Sequence, residues 1–222
     1  MDTFLVRTLF WARKKGLLIR FTLGVRILLA IAFIPTGAVK LMGRRFTTGI
    51  PEEGSPLILF ESLYQSGIYW QFIGFVQLLS GLLILFYRTS ALGAILFLAI
   101  ASNILLITIS YDFGLTVVIA SGITLASLWL VFWHWDRLRY LFLYDVASKP
   151  IVLNKPVIKS MFERAIYVVG LVCGLILFSM LRGLKLPGFA VYVALGGSIL
   201  SFLLALILGI KNRSHGLNST HP

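Results

Sequence analysis

Polar and ionisable side chains within or beside apolar segments are the residues of this sequence that could do chemistry. Such groups are costly in a bilayer, so their positions are informative. Eight of them are predicted to converge toward the outer half of a helical bundle and to line a ligand site: Lys40, Arg44, Glu61, Tyr64, Gln65, Gln77, Asn103 and Asp112. A carboxylate such as Glu61, facing Lys40, could form a charge pair or bind the polar head of an amphiphile such as a quinone.

Each of these residues also has a structural explanation. Lys40 could extend toward the membrane surface as an interface anchor. The amides of Gln77 and Asn103 could join neighbouring helices by hydrogen bonds, which we weigh above a ligand role. A seven-residue repeat of glycine predicts a stripe at which another helix packs closely: Gly67, Gly74 and Gly81.

Redox and metal chemistry have little support among the remaining residues. His134 stands between tryptophans and is interpreted as an interface residue rather than a haem or metal ligand. The absence of a second histidine from the spans excludes bis-histidine haem ligation within one chain. Cys173 is the single cysteine, so no internal disulfide can form. Nucleotide-binding and hydrolase motifs are also absent. No catalytic residue, metal or firm cofactor is predicted.

The composition predicts that lipid is the solvent for most of the chain. Of 222 residues, 59% are hydrophobic and only 13% are charged, against about a quarter charged in soluble domains. The net charge of +12 is better explained by basic loops beside anionic lipid headgroups than by nucleic-acid binding. The expected partners are therefore membrane lipids and not nucleic acids.

Six apolar segments are long enough to cross a bilayer, which takes roughly 20 residues. Each should be an α-helix, because only a helix satisfies its own backbone in lipid within so few residues. Their predicted limits are Phe21–Leu41, Ile68–Tyr87, Ala91–Ile109, Leu115–Trp133, Ala165–Leu181 and Ala190–Ile210. Most basic residues fall in the termini and the connections on their side, so both termini are predicted to be cytoplasmic.

The predicted fold is an all-α membrane protein with a four-helix bundle and a C-terminal hairpin of two spans. The hairpin would serve packing or homo-oligomerisation. The predicted divisions are a basic cytoplasmic N-terminus at 1–20, the bundle at 21–136, a basic cytoplasmic loop at 137–164, the hairpin at 165–210 and a disordered cytoplasmic tail at 211–222.

The first four spans resemble the DoxX family of small bacterial membrane proteins over residues 20–135. The resemblance rests on Gly37-Ala38-Val39-Lys40-Leu41, on the run from Phe60 to Gly74 with Gln77 and Gly81, and on Asn103 with Asp112-Phe113-Gly114. It implies a four-helix bundle in the bacterial inner membrane and an association with respiratory or sulfur oxidoreductases, sometimes as a quinone-linked subunit. The C-terminal hairpin departs from the family's four-span pattern.

Two functions follow as expectations. The first is a non-catalytic membrane subunit or scaffold of a redox or quinone-linked system, with the basic loop at 137–164 as the docking surface for a redox protein. The alternative is a small transporter or lipid-handling protein whose polar residues line a cavity in the outer leaflet. An independent enzyme has the least support, because the sequence does not place acid and base groups within mutual reach.

Overall fold

The computed structural model describes residues 2–45, 57–142, 158, 160–182 and 187–218, and this part of the chain is built from α-helices. In chain order the helices are α1 Asp2–Lys14, α2 Gly16–Leu41, α3 Leu57–Gln65, α4 Ile68–Leu85, α5 Ser90–Ser110, α6 Leu115–Trp133, α7 Trp135–Phe142, α8 Met161–Leu181 and α9 Gly188–Asn218.

Six of these helices are long and apolar enough to cross a membrane: α2, α4, α5, α6, α8 and the Phe189–Leu208 part of α9. The prediction of an all-α, multi-pass membrane protein is therefore confirmed. The first span begins at Gly16 rather than Phe21 and the fifth at Met161 rather than Ala165. The added segments contain the charged residues Arg20 and Glu163, which form an ion pair with each other and are thereby compensated for their burial.

The C-terminal end of the chain differs from its prediction. Helix α9 continues to Asn218, so residues 211–218 are helical where a disordered tail was predicted. Continuation of the backbone hydrogen bonds beyond the apolar segment explains the difference, since helix propagation adds one bond for each residue fixed. Residues 219–222 and most of the basic loop, at 143–157, lie outside the described residues.

Glycines bring α2 and α4 into close backbone contact. A Cβ atom added to Gly37 would lie 2.6 Å from the backbone nitrogen of Leu78 and 2.8 Å from the carbonyl oxygen of Gly74. One added to Gly81 would lie 2.8 Å from Ile34 Cγ1. Gly67 differs from the other two predicted packing glycines, since it precedes α4 with a φ of 60° and meets no atom within 4 Å.

The middle of α2 forms the centre of the apolar core. Val25, Leu29 and Phe33 are buried there against Phe97 of α5 and Leu130 of α6. The rings of Phe33 and Phe97 are 4.0 Å apart between centroids. The bundle therefore packs around its first span, with α4, α5 and α6 following as neighbours joined by short turns.

The C-terminal hairpin packs on the bundle through α8. Leu171 lies against the apolar core, and a Cβ atom added to Gly174 would contact the side chain of Ile31 in α2. At the start of α8, Glu163 pairs with Arg20 at 2.6 Å. The hairpin thus adds a fifth and a sixth span, of which α8 packs on α2 and α9 packs on α8.

An even number of spans places both ends of the chain on one side. We call this side the basic end: it contains α1, the α4–α5 turn, α7 and the start of α8. The opposite end contains the connection from α2 to α4, including α3, and the α5–α6 turn.

Candidate functional site

At the opposite end, Lys40 is held inside the bundle. Its Nζ donates a hydrogen bond to Gln77 Oε1 at 3.0 Å and lies 5.0 Å from the centre of the Trp70 ring. Lys40 and Gln77 are 6% and 3% exposed, so the ammonium group does not extend to the surface as an anchor. This bond joins α2 to α4, which agrees with the structural explanation given above for Gln77.

Glu61 has a different partner from the one expected. Its carboxylate accepts a hydrogen bond from Arg45 Nη2 at 2.8 Å and from Gln65 Nε2 at 3.4 Å. The Arg45 guanidinium also lies 5.2 Å from the centre of the Tyr64 ring. The hypothesis of a Lys40–Glu61 charge pair is therefore wrong. Glu61 belongs to the separate short helix α3, and the exposed Arg45, which follows α2, lies beside it.

The remaining predicted site residues do not join Lys40 and Gln77. Arg44 contributes its backbone oxygen, which accepts a hydrogen bond from Trp70 Nε1 at 2.9 Å, while its side chain is exposed. Asp112 is exposed in the α5–α6 turn with a φ of 48°. Asn103 is exposed on the surface of α5. The eight residues thus form a buried pair, an exposed group around Glu61, and outlying positions.

A cavity of about 540 Å³ lies instead at the basic end. Three arginines and mainly apolar side chains line it, and no described lining residue is acidic. The lining residues are Ile19, Thr22, Leu23, Arg26, Phe86, Tyr87, Arg88, Trp133, Ile158 and Arg164. Phe86, Arg88 and Arg164 are also exposed, so the cavity opens to the surface.

Arg26 enters the cavity from α2 while closing the end of α4. Its Nε donates to the carbonyl oxygen of Ile84 at 2.6 Å, and its Nη2 donates to that of Leu85 at 2.8 Å. The last carbonyl groups of a helix have no partner within the helix, so Arg26 caps α4. Its Nη1 makes no hydrogen bond to the described residues, and Arg26 is one of the residues that line the cavity.

The α4–α5 turn is held by a second arginine. Arg137 Nη1 donates to the carbonyl oxygen of Tyr87 at 2.8 Å, and its guanidinium carbon lies 4.3 Å from the centre of the Tyr87 ring. Thr89 Oγ1 donates to the carbonyl oxygen of Leu83 at 2.9 Å. These bonds fix the turn and place Tyr87 and Arg88 in the cavity wall.

Glu163 of α8 directly precedes the lining residue Arg164, and it is already paired with another arginine. Glu163 is 4% exposed and accepts from Arg20 Nε at 2.6 Å and Nη2 at 3.3 Å. Ser160 caps α8 by accepting from the Glu163 backbone nitrogen at 3.3 Å. Glu163 is thus paired with Arg20 and is not among the residues that line the cavity.

His134 is buried between α6 and α7, where an interface residue was predicted. It is 1% exposed, and neither ring nitrogen has a hydrogen-bond partner in the described chain. Burial, followed by the nearby guanidinium groups of Arg26, Arg137 and Arg13, lowers the pKa of His134 to about 3. The imidazole is therefore neutral near pH 7 and adds no charge to the basic end.

Arg13 shows why α1 belongs to this end. Its guanidinium donates to Asp136 Oδ1 at 2.7 Å, to Asp136 Oδ2 at 3.1 Å and to the carbonyl oxygen of Trp133 at 2.6 Å. The N-terminal segment is thus a folded helix attached to α7. These bonds also fix Trp133, which lines the cavity.

In the sequence, the arginines of the basic end indicate the orientation of the chain and, within the 137–164 loop, a docking surface. The missed signal was Arg26, a charge ten residues inside a 26-residue apolar helix. Charged residues within spans are expensive and usually functional or paired. Their spacing alone did not show that α2, the α4–α5 turn and α8 meet at one cavity.

The chain is similar in sequence to a curated bacterial protein that is described as uncharacterized. The chain is 35% identical over 94 residues to the uncharacterized protein YwoB of Bacillus subtilis (strain 168), a match that covers 40% of this chain and 61% of YwoB. The chain therefore spans less than two thirds of this curated relative. No protein-family model and no solved structure matches the chain, so the resemblance to the DoxX family stays a prediction.

Proposed function

We propose that this protein is a non-catalytic, lipid-handling membrane protein that binds the anionic head of an amphiphile in the cavity at its basic end. The observation that carries the proposal is the set of three guanidinium groups, from Arg26, Arg88 and Arg164, around an otherwise mainly apolar cavity. Guanidinium groups bind phosphate and carboxylate by paired, charge-assisted hydrogen bonds. The apolar wall suits the first part of an acyl or prenyl chain.

The basic end is proposed to face the cytoplasm of a bacterial cell, across the inner membrane. Basic residues accumulate on the cytoplasmic side of membrane proteins, and this end carries α1, Arg88, Arg137 and Arg164. The cytoplasmic leaflet is also the one that is rich in anionic lipids. The proposed ligand and the proposed orientation therefore support each other.

The charge of the cavity favours an anionic ligand over a quinone. A quinone presents neutral carbonyl groups, and these would not balance the charge of guanidinium groups such as those of Arg26 and Arg88 in the cavity wall. We therefore propose that the lipid site lies at the basic end and not among the outer polar residues. The association with a redox protein at the 137–164 loop stays a prediction, since most of that loop lies outside the described residues.

Replacement of Arg88 tests the proposal without disturbing the α4 cap. The Arg88 side chain is exposed at the cavity, so Arg88→Gln should fold normally. Purified protein would be titrated with phosphatidic acid, phosphatidylglycerol or phosphatidylcholine, and bound lipid counted by native mass spectrometry. We expect the anionic lipids to bind preferentially and Arg88→Gln to weaken them about 10-fold, as for loss of one charged hydrogen bond.

Arg7→Gln is the matched control, because Arg7 is an exposed arginine of α1 at the same end and does not line the cavity. It should leave lipid binding unchanged. An equal loss in both variants would mean that the total positive charge attracts the lipid, and would contradict a specific cavity site. Equal binding of phosphatidylcholine and the anionic lipids would contradict it as well.

A further inference from the structure

Asn103 is an unpaired amide on the lipid-facing surface. It is exposed in the middle of the apolar helix α5, and it forms no hydrogen bond to the described residues. The other exposed polar side chain near it, Ser110, donates to the carbonyl oxygen of Leu106 in its own helix at 2.8 Å. Asn103 has no such hydrogen bond within its own helix. The donor and the acceptor of its amide therefore both need a partner outside the described chain.

The position of Asn103 along α5 places this amide inside the hydrocarbon. It lies seven residues before the helix end at Ser110, which corresponds to roughly 10 Å at the helical rise. Acyl chains cannot hydrogen-bond to it, and an unpaired amide in an apolar medium is strongly unfavourable. A protein partner is therefore expected to cover this face.

Gly122 of α6 lies at the same depth as Asn103. It is seven residues after the start of α6 at Leu115, and the 3.3 Å contact of Thr124 Oγ1 with the carbonyl oxygen of Ala101 sets the same register between the two helices. Gly122 is exposed, and a Cβ atom added to it would meet nothing within 4 Å. The absence of a side chain leaves room for another helix to approach α6 closely at the depth of Asn103.

We infer that the α5–α6 face, with Asn103 at its centre, is the interface with a second copy of this chain. The amide favours this occupant, because one amide supplies both the donor and the acceptor that a second amide needs. Two copies inserted in the same orientation are related by a two-fold axis along the membrane normal, so the same surface is used twice. Asn103 of each copy then bonds to Asn103 of the other. This assigns homo-oligomerisation to α5 and α6 rather than to the C-terminal hairpin.

Cysteine crosslinking in membranes tests the interface. In a Cys173→Ser background, Leu106→Cys puts a thiol one turn from Asn103, and Phe202→Cys puts one on α9 at nearly equal exposure, 64% against 66%. Oxidation should give a covalent product of twice the chain mass from Leu106→Cys and little from Phe202→Cys. Adding Asn103→Leu should lower the yield about 3- to 30-fold, as for one or two interhelical hydrogen bonds.

Asn103→Gln is the rescue variant, because it keeps the amide and should retain most of the crosslink. A yield from Leu106→Cys that equals that from Phe202→Cys, or that does not change with Asn103→Leu, would overturn the inference. So would a crosslinked product whose mass shows a different protein. Lipid binding at the basic end is expected to be unaffected by these changes, so the two proposals can fail separately.

Discussion

At the scale of single residues, each buried or partly buried ionisable group of the basic end is stabilised in its own way. Arg13 and Arg20 each have a carboxylate, Arg26 uses the carbonyl groups at the end of α4, and His134 stays neutral. Buried charges need such partners, because the loss of hydration is otherwise not compensated. Arg88 lines the cavity and is exposed, so its charge is accessible to a ligand.

His134 should make the stability of the protein depend on pH in a defined direction. Its pKa is about 3 in the folded protein against 6.5 for an ordinary histidine, so between these values the unfolded chain binds the extra proton. Stability should be fully present above about pH 6.5 and fall by about 1.4 kcal/mol for each pH unit below it. Thermal unfolding in detergent from pH 7 to pH 5 would measure this slope.

His134→Phe is the comparison for this measurement, because it removes the titrating group and keeps an aromatic ring. The variant should lose the part of the slope that belongs to this histidine. An unchanged slope would show that other groups cause the acid sensitivity.

At the scale of helices, the contact of α2 with α4 depends on two facing glycines. Gly37 and Gly74 let the two backbones approach, and the buried Lys40–Gln77 hydrogen bond lies beside this contact. The glycine stripe and the polar pair thus stabilise one interface, and the polar residues predicted to bind a ligand there are part of the packing.

Gly37→Ala and Gly24→Ala should have opposite effects on stability although both lie in α2. The Cβ at position 37 would collide with the α4 backbone, whereas at position 24 it would meet nothing within 4 Å. We expect Gly37→Ala to cost about 1–3 kcal/mol through overpacking, and Gly24→Ala to gain up to about 1 kcal/mol of helix propensity. Thermal unfolding in detergent would compare them, and equal effects would contradict the close packing.

At the scale of the whole molecule, the partly buried Arg20–Glu163 pair attaches the C-terminal hairpin to the bundle at the basic end. The pair also adjoins the cavity, because Ile19, which precedes Arg20, and Arg164, which follows Glu163, are lining residues. Loss of this pair is therefore expected to loosen α8 from α2 and to affect both stability and lipid binding.

Charge reversal at this pair should be more harmful than reversal at an exposed pair. Breaking a fully buried pair costs about 3–5 kcal/mol, and exposed pairs contribute about 0–1 kcal/mol. With Glu163 buried and Arg20 partly exposed, this pair should fall between these values. Arg20→Glu and Glu163→Arg should each lower the melting temperature, and the double variant should recover part of the loss. The control is Arg45–Glu61, whose arginine side chain is 55% exposed. Failure of the double variant to recover would argue against a specific pair.

The sequence by itself determined the six apolar helices and the concentration of charge at one end. Hydropathy is summed over about 20 consecutive residues, so it can be read locally without knowledge of the helix neighbours. The tertiary structure alone decided which side chains meet. The rotation and register of each helix decide the side-chain pairs, which are Glu61 with Arg45, Lys40 with Gln77 and Arg20 with Glu163. They also brought together at one cavity three arginines that stand far apart along the chain.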